Sequence, residues 1–234
     1  MCQFVEYNSA GLSNERKFFG EAKHGDFIDA MLQSLLCYDA KYPCNIVHSI
    51  YFDTPAETSY REKSNGDGLK KKYRIRWYET QHDMSAPKSK VFLEVKHRIG
   101  SARKKTRTEL DVSPDWLQNV SMTDPSLTDV LQLKGYPPRL IPAVCISYKR
   151  HRYVCPYTKG RVSLDRNIQA TRFSPVLYPF GLPVKLNSLV CEFKDTGRNV
   201  IPWAVHLQNI GLKLGSFSKY GHIVAQLHEG GKPV

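Results

Sequence analysis

The sequence lacks the features that mark several classes of protein. No apolar run approaches the ~20 residues that a membrane-spanning helix needs, and the first residues lack the basic and apolar regions of a signal peptide. The six cysteines are scattered, with no CxxC pair and no zinc-ligand spacing. There is no internal repeat and no low-complexity segment. We therefore expect a cytoplasmic globular protein without a membrane segment.

Acidic residues are also in short supply. There are 22 Asp and Glu against 34 Lys and Arg, which gives a formal net charge of +12. Such an excess favours an anionic partner, namely nucleic acid, a phosphorylated small molecule, polyphosphate or an acidic membrane surface. The alternative is a merely basic surface.

The length and composition allow a sizeable core. At 234 residues and 41% hydrophobic, the chain can form one large domain or two small ones. Because no linker is visible, we expect a single domain over residues 1–234, with its core at about 13–227. Residues 1–10 and 229–234 are expected to be loose.

Residues 70–78 show the pattern around which the chain is organised. With the two-residue period of a strand, Arg74 and Arg76 fall on one face, and Tyr73, Ile75 and Trp77 on the other. The apolar face can pack on a core. The arginine face must meet water, carboxylates or a polyanion, because an unpaired buried guanidinium group is too costly.

Other segments also predict regular elements. Strands are expected near residues 13–19, 45–53, 70–78, 91–98, 102–110, 139–154, 161–168 and within 184–195. Helices are expected at 26–37, from 113, at 124–133, from 202 and up to 227. In the first helix, a buried stripe of Phe27, Met31, Leu32, Leu35 and Leu36 is expected. Asp53, before a Thr-Pro pair, is interpreted as a turn residue.

Charged residues recur at alternate positions in successive predicted strands. Glu94, Lys96 and Arg98 share a face in one strand. In the next strand, alternation places one set of charged residues on a single face, namely Arg103, Lys105, Arg107 and Glu109. Lys104 points to the other face. Each face alone is typical of a solvated outer surface. Their repetition and their arginine content favour phosphate binding, and the interspersed glutamates suit a divalent metal.

These faces indicate an α+β protein. An antiparallel β-barrel of about eight strands, with helices outside and a C-terminal helix, would turn the charged faces into a basic tunnel.

Eight short motifs, in this order, carry a resemblance to a known family. They are ERKF at 15–18, SIYFDT at 49–54, YRIRWY at 73–78, FLEVK at 92–96, SYKR at 147–150, RVSLD at 161–165, EFK at 192–194 and FSKY at 217–220. The sequence resembles the VTC domain, the polyphosphate polymerase domain of the triphosphate tunnel metalloenzyme (CYTH-like) superfamily, in its stand-alone bacterial form. One departure is Ser13, where the wider superfamily has a glutamate. This argues against a simple triphosphate hydrolase.

The resemblance implies a function and a set of site residues. The enzyme would transfer the γ-phosphate of ATP to a growing polyphosphate chain with Mn²⁺ or Mg²⁺. The implied catalytic residues are Lys17, Arg74, Arg76, Lys96, Lys105, Arg150, Arg161 and Lys194. The implied substrate-binding residues are Arg98, Arg103, Arg107, Ser218 and Lys219. Glu192 would be the main metal ligand, with Glu94 and Glu15 as further candidates.

Two other functions stay open at this point. One is metal-dependent hydrolysis of inorganic or nucleoside triphosphate in the same tunnel. The other is a non-catalytic module that binds polyphosphate or RNA. The expected partners are ATP and polyphosphate, with no nucleic acid and no membrane segment, although a membrane protein could accompany the chain. A monomer is expected.

Overall fold

The computed structural model describes residues 14–79, 90–100, 102–195 and 204–230. The expected loose segment 1–10 and Ser13 lie outside the described residues, and so do residues 231–234.

The strands recur along the chain close to the positions that alternation predicts. They are β1 (Asn14–Glu21), β2 (Cys37–Tyr38), β3 (Cys44–Asp53), β4 (Leu69–Glu79), β5 (Val91–Ile99), β6 (Ala102–Leu110), β7 (Ile141–Val154), β8 (Arg161–Phe173), β9 (Val184–Lys185), β10 (Ser188–Asp195) and β11 (Lys213–Leu214). The two-residue strands β2 and β11 were not predicted, because two residues carry no readable alternation.

The helices are short and lie between the strands. They are α1 (Gly25–Leu35), α2 (Thr58–Ser64), α3 (Pro114–Asn119), α4 (Pro125–Gln132), α5 (Ala204–Asn209) and α6 (Lys219–His228). The side chains of Ser113 and Asp124 accept hydrogen bonds from first-turn N–H groups of α3 and α4, and each helix begins with proline. These local signals are visible in the sequence, and they explain why both starts are predicted within a residue.

The chain divides into two compact units, each formed from segments that are distant in sequence. Unit 1 comprises the residues up to Ile46 together with Tyr148–Ile168 and Leu186–Phe217. Unit 2 comprises Val47–Ser147, Gln169–Lys185 and the residues from Ser218 onward. The expectation of a single domain over residues 1–234 stays a prediction.

Unit 2 is built on strands in the order β7-β3-β4-β5-β6. The β4–β5 and β5–β6 pairs are antiparallel. One face of these strands buries Ile75, Trp77 and Leu93 against Leu117 of α3 and Leu127 of α4. The aromatic face of β4 therefore contacts the helices, as the alternation predicts, and the arginine face is left for other partners.

Unit 1 contains strands in the order β11-β1-β10-β8-β7. Their apolar face packs on α1 and α5 through a core that includes Phe18, Leu32, Leu164, Phe193 and Leu207. The β1–β10 and β10–β8 pairs are antiparallel. The predicted α+β class with antiparallel strands is confirmed, whereas closure of the strands into a barrel stays a prediction.

Helix α1 buries only part of the predicted stripe: Leu32 and Leu36 lie in the core and Met31 packs against it. Ile28, Asp29 and Leu32 are buried, whereas Phe27 and Leu35 are 59% and 42% exposed. Asp29 accepts hydrogen bonds from the Tyr153 hydroxyl and, at 2.8 Å, pairs with His151 Nδ1. Asp29 therefore takes a place on the buried face because its carboxylate has hydrogen-bond partners there. Composition alone cannot show that these partners exist.

Among the described residues, none of the helices has the length and apolar character needed to cross a membrane.

Candidate active site

The charged face of β4, β5 and β6 arises from direct cross-strand pairing. Arg74 of β4 lies opposite Glu94 of β5. Glu94 and Lys96 in turn lie opposite Arg107 and Lys105 of β6. Directly opposed residues of antiparallel strands project from the same face. The predicted parity of the three strands is therefore confirmed.

Glu94 is the centre of the Glu94 cluster, which we define as Glu94 with Arg74, Arg76, Lys105 and Arg107. Glu94 is only 1% exposed. Arg74 donates from Nε and Nη2 to its Oε2 at 2.9 and 2.6 Å, and Lys105 Nζ lies 2.6 Å from Oε1. Arg107 Nε lies 3.4 Å from Oε1, and Arg76 Nη1 lies 3.8 Å from Oε2. One buried carboxylate is thus surrounded by four cations.

The charge balance of this cluster is positive. Burial alone would raise the pKa of the Glu94 carboxyl, but the charges of Arg74, Arg76 and Lys105 outweigh burial and hold that pKa well below its usual range. Burial lowers the pKa of the Lys105 ammonium, and the charge of Glu94 opposes this shift. With Glu94 ionised, the surplus of cations on a partly buried face favours a polyanionic ligand.

Strand β3 brings two polar side chains to the cluster. Arg76 Nε donates to Ser49 Oγ at 2.9 Å, and Arg74 Nη1 donates to Tyr51 Oη at 3.0 Å. Burial alone would raise the pKa of Tyr51, but the charges of Arg74, Arg76 and Lys72 and the Arg74 hydrogen bond lower it to about 7. Sequence reasoning missed both residues. The sequence pattern that could have identified them is the alternation of polar side chains along β3.

The first turn of α6 lies in the same unit. The Ser218 side chain is its N-cap and accepts a hydrogen bond from Gly221 N at 3.1 Å. Ser218 Oγ also accepts from Lys72 Nζ at 2.9 Å. Lys219 is the first residue of the helix. Ser218 therefore caps α6 and also contacts a lysine of β4.

The remaining basic residues lie toward the turn between β5 and β6. Arg98 lies opposite Arg103, and its Nε donates to the carbonyl of Gly100 at 2.8 Å. Gly100 adopts φ +59°, which a glycine tolerates at this turn. Lys104 pairs with His97 on the opposite face, as predicted. The structure therefore brings Arg98 onto the same face as the Glu94 cluster.

Unit 1 contains a second charged group, the Glu15–Glu192 cluster, which we define as Glu15, Lys17, Glu192 and Lys194. In the β1–β10 ladder, Glu15 pairs with Lys194 and Lys17 with Glu192. Lys17 Nζ lies 2.6 Å from Glu15 and 3.6 Å from Glu192. Lys194 Nζ lies 3.0 Å from Glu192 and 3.7 Å from Glu15. Two carboxylates and two ammonium groups thus alternate on one face.

The donor set of the Glu15–Glu192 cluster fits a divalent metal better than that of Glu94. Carboxylate oxygens are hard ligands, and Mg²⁺ is typically held by one or two carboxylates together with substrate phosphates. Glu15 and Glu192 have side chains that are 17% and 12% exposed. Glu94, in contrast, is one carboxylate among four cations, whereas Glu15 and Glu192 are two carboxylates balanced by two ammonium groups. No group of three metal-ligating side chains occurs among the described residues.

Arg150 and Arg161 lie beside this cluster in the strand order of unit 1. Arg150 of β7 binds Asp165 of β8 through Nε and Nη2, at 2.6 and 2.7 Å. Asp165 is fully buried, so it fixes the guanidinium plane of Arg150. Arg161 of β8 pairs with Lys194 of β10. The role of Asp165 as a partner of Arg150 was missed, because the pairing joins two strands.

Comparisons with known proteins give one family. The VTC domain family matches residues 14–228. No curated protein matches the sequence closely enough to count as a relative.

Two solved structures share a similar chain trace. One, of a proposed adenylate cyclase from Vibrio parahaemolyticus, has 14% identity and a TM-score of 0.47, and the alignment covers 92% of this chain and 98% of that one. The other, of a proposed adenylate cyclase from Bacillus halodurans, has 14% identity and a TM-score of 0.45, with coverage of 96% and 94%. At these values neither carries an argument about function. The family match over residues 14–228 spans most of the sequence, and the chain therefore belongs to the VTC domain family.

Proposed function

We propose that the protein is an ATP-dependent polyphosphate polymerase that transfers the γ-phosphate of ATP to a polyphosphate chain. The observation that carries this proposal is the Glu94 cluster, in which four cations on one sheet face surround a single buried carboxylate. Such a surplus of fixed positive charge is what a transferring phosphoryl group requires, since little covalent work falls to the protein. Membership of the VTC domain family supports the same activity.

The proposal assigns roles to the basic residues by unit. In unit 2, Arg74, Arg76 and Lys96 bind nucleotide phosphates, and Lys105 binds the triphosphate. The further phosphate-binding residues of unit 2 are Arg98, Arg103, Arg107, Ser218 and Lys219. In unit 1, Lys17 binds the nucleotide phosphates, and Arg150, Arg161 and Lys194 bind the triphosphate and the chain. Arg150 suits this role because Asp165 already holds its guanidinium group in place.

Glu192 and Glu15 would hold the divalent metal, Mn²⁺ or Mg²⁺. When bound, the metal neutralises charge on the phosphate oxygens. Lys17 and Lys194 lie between these carboxylates, and the register of β1 and β10 places all four side chains on one face. Glu94 keeps Arg74 oriented by two hydrogen bonds, which presents the guanidinium group to phosphate with little reorganisation.

A non-catalytic RNA-binding module is less well supported. Single-stranded nucleic acid is bound by aromatic rings that stack on bases beside basic residues. Tyr73 and Trp77 are 8% and 1% exposed and pack in the core on the face away from the arginines. These rings are therefore not available as a stacking platform.

Incubation of the purified protein with ATP and Mn²⁺ tests the proposal. Long phosphate chains on a gel are expected. Release of free phosphate alone would point to triphosphate hydrolysis, and unchanged ATP would contradict both enzymatic functions.

The variant Glu192→Gln tests the metal site. It removes a carboxylate charge while preserving shape, so metal-dependent turnover should fall by at least about a hundredfold, the scale of losing a metal-binding group. Mn²⁺ binding measured by calorimetry should weaken in parallel. Glu21→Gln, an exposed glutamate on the same strand as Glu15, is the matched control and should keep both. Full activity in Glu192→Gln would remove Glu192 from the metal site.

A further inference from the structure

Asp53 has more hydrogen-bond partners than a turn residue needs. Its carboxylate is fully buried at the end of β3. Oδ1 accepts from Thr54 N at 2.8 Å and from Ser59 N at 2.9 Å, and Oδ2 accepts from Tyr60 N at 3.1 Å. These three bonds attach the residue after β3 and the first turn of α2 to Asp53. The fourth donor is the Tyr220 hydroxyl, 2.7 Å from Oδ2, which belongs to the first turn of α6.

Tyr220 has further contacts with residues around the Glu94 cluster. Its ring stacks on Tyr51, with centroids 5.1 Å apart and an angle of 20° between the planes. The Tyr51 hydroxyl in turn accepts a hydrogen bond from Arg74. Lys72 Nζ lies 5.9 Å from the centroid of the Tyr220 ring and donates to Ser218 Oγ. A continuous set of contacts therefore joins the start of α6 to an arginine of the cluster.

The hydroxyl of Tyr220 is not needed to attach α6 to the unit. Ile223, Val224 and Leu227 are buried along the same helix and provide its apolar contact. Burial and the charge of Asp53 raise the pKa of Tyr220 well above 10, so the hydroxyl keeps its proton and remains a donor. A phenylalanine would pack equally well. The hydroxyl, which also interacts with Tyr178, is thus left to orient the first turn of α6.

We propose that Tyr220, held by Asp53, is a positioning residue that fixes Ser218 and Lys219 relative to Arg74. In this arrangement all three residues can bind the same phosphate chain. The inference rests on the proposed function, which assigns Ser218 and Lys219 to phosphate. Tyr220 acts through these residues and need not touch phosphate itself. Because the Lys219 ammonium group is the charged member of the pair, most of the effect of Tyr220 on phosphate affinity should require Lys219.

The test is a double-mutant cycle with inorganic tripolyphosphate as the probe, measured by calorimetry in the full-length protein. Tyr220→Phe keeps the ring stack and removes only the hydroxyl. Its affinity for tripolyphosphate should fall about fivefold, as expected when one charge-assisted phosphate contact is partly lost. In a Lys219→Ala background, the further loss caused by Tyr220→Phe should be much smaller than fivefold, because the charged group that it positions is absent and only Ser218 remains.

Tyr153→Phe is the matched control. It removes another hydrogen bond from a buried tyrosine to a buried aspartate, Asp29, but in unit 1. It should lower the melting temperature as Tyr220→Phe does, and it should leave tripolyphosphate affinity unchanged. This control separates a loss of stability from a loss of positioning.

The outcomes distinguish the inference from the function on which it rests. If wild-type protein does not bind tripolyphosphate, the proposed function fails and the inference with it. If wild-type protein binds and Tyr220→Phe binds equally well, or loses the same factor with and without Lys219, only the positioning role is overturned.

Discussion

Tyr51 and Tyr220 are stacked phenols whose hydroxyl groups meet opposite charges. The Tyr51 hydroxyl faces Arg74, whereas the Tyr220 hydroxyl faces Asp53. The pKa is lowered to about 7 in Tyr51 and raised well above 10 in Tyr220. Neighbouring charge, not burial, separates the two residues, since both are buried.

This difference predicts a pH dependence of stability. The pKa of Tyr51 is lowered from 10.0 to about 7 on folding, so the contribution of Tyr51 is full above pH 10 and is lost as pH falls through about 7. The unfolding free energy of wild-type protein, relative to Tyr51→Phe, should therefore rise between pH 7 and 10. Urea unfolding at several pH values measures this difference. A difference that stays constant across the range would show that Tyr51 does not titrate there.

Glu94 is the counter-ion of four cations, and its removal should destabilise the protein. Glu94→Gln leaves Arg74, Arg76, Lys105 and Arg107 without a neutralising charge, and breaking a buried ion pair in this way costs about 3 kcal/mol. Urea unfolding should show a loss of this size.

Glu109→Gln is the control for this prediction. Glu109 lies on the same face of β6 but pairs with Lys90 at the surface, with a side chain that is 54% exposed. Its substitution should change stability by less than about 0.5 kcal/mol. A loss in Glu94→Gln as small as that in Glu109→Gln would show that the Glu94 cluster is not a stabilising centre. Mn²⁺ affinity should survive in Glu94→Gln, because Glu15 and Glu192 are the proposed ligands.

At the scale of the element, β6 separates adjacent lysines onto different faces. Lys105 contacts Glu94, whereas Lys104 pairs with His97 on the other face. Lys105→Ala should weaken tripolyphosphate binding roughly tenfold, the value of one charge-assisted hydrogen bond. Lys104→Ala removes the same charge from the neighbouring position and should change the affinity by less than about twofold. Calorimetry on both variants decides the point, and equal losses would refute the assignment of the binding face.

Helix α1 shows the limit of reading a face from one element. Phe27 and Leu35 of its most apolar stripe are exposed. The orientation of the helix instead places Asp29 beside His151, Tyr153 and Arg166. Those three partners come from β7 and β8. The periodicity of the helix is a local property, but which of its faces is buried depends on the side chains that the neighbouring strands present to it.

At the scale of the whole molecule, the net charge of +12 should make anion binding sensitive to salt. The Debye length falls from about 10 Å at 0.1 M salt to about 3 Å at 1 M, so tripolyphosphate affinity should decrease steadily over this range. Arg107→Ala should make the dependence shallower, because it removes a cation of the Glu94 cluster. Arg139→Ala lowers the net charge equally at an exposed position outside the cluster and should leave the slope almost unchanged. Identical slopes in both variants would mean that net charge alone controls binding.

The sequence by itself determined which side chains share a face. Alternation follows from the backbone geometry of a strand, so Arg74 and Arg76, or Lys105 and Arg107, must project together wherever the strand lies. The same local rules predicted the caps of α3 and α4, since a helix end needs acceptors within its own first turn. Most strands and the α+β class follow from these signals.

Only the tertiary structure decided which charges meet. Glu94 binds cations from β4 and β6, Arg150 is oriented by Asp165 of another strand, and Asp53 reaches Tyr220 across 167 positions of sequence. Such pairings depend on strand register and helix docking, which are fixed by packing over the whole unit and leave no periodic trace in the sequence. For this reason the charged face was predictable, whereas the buried partners that hold it in place were not.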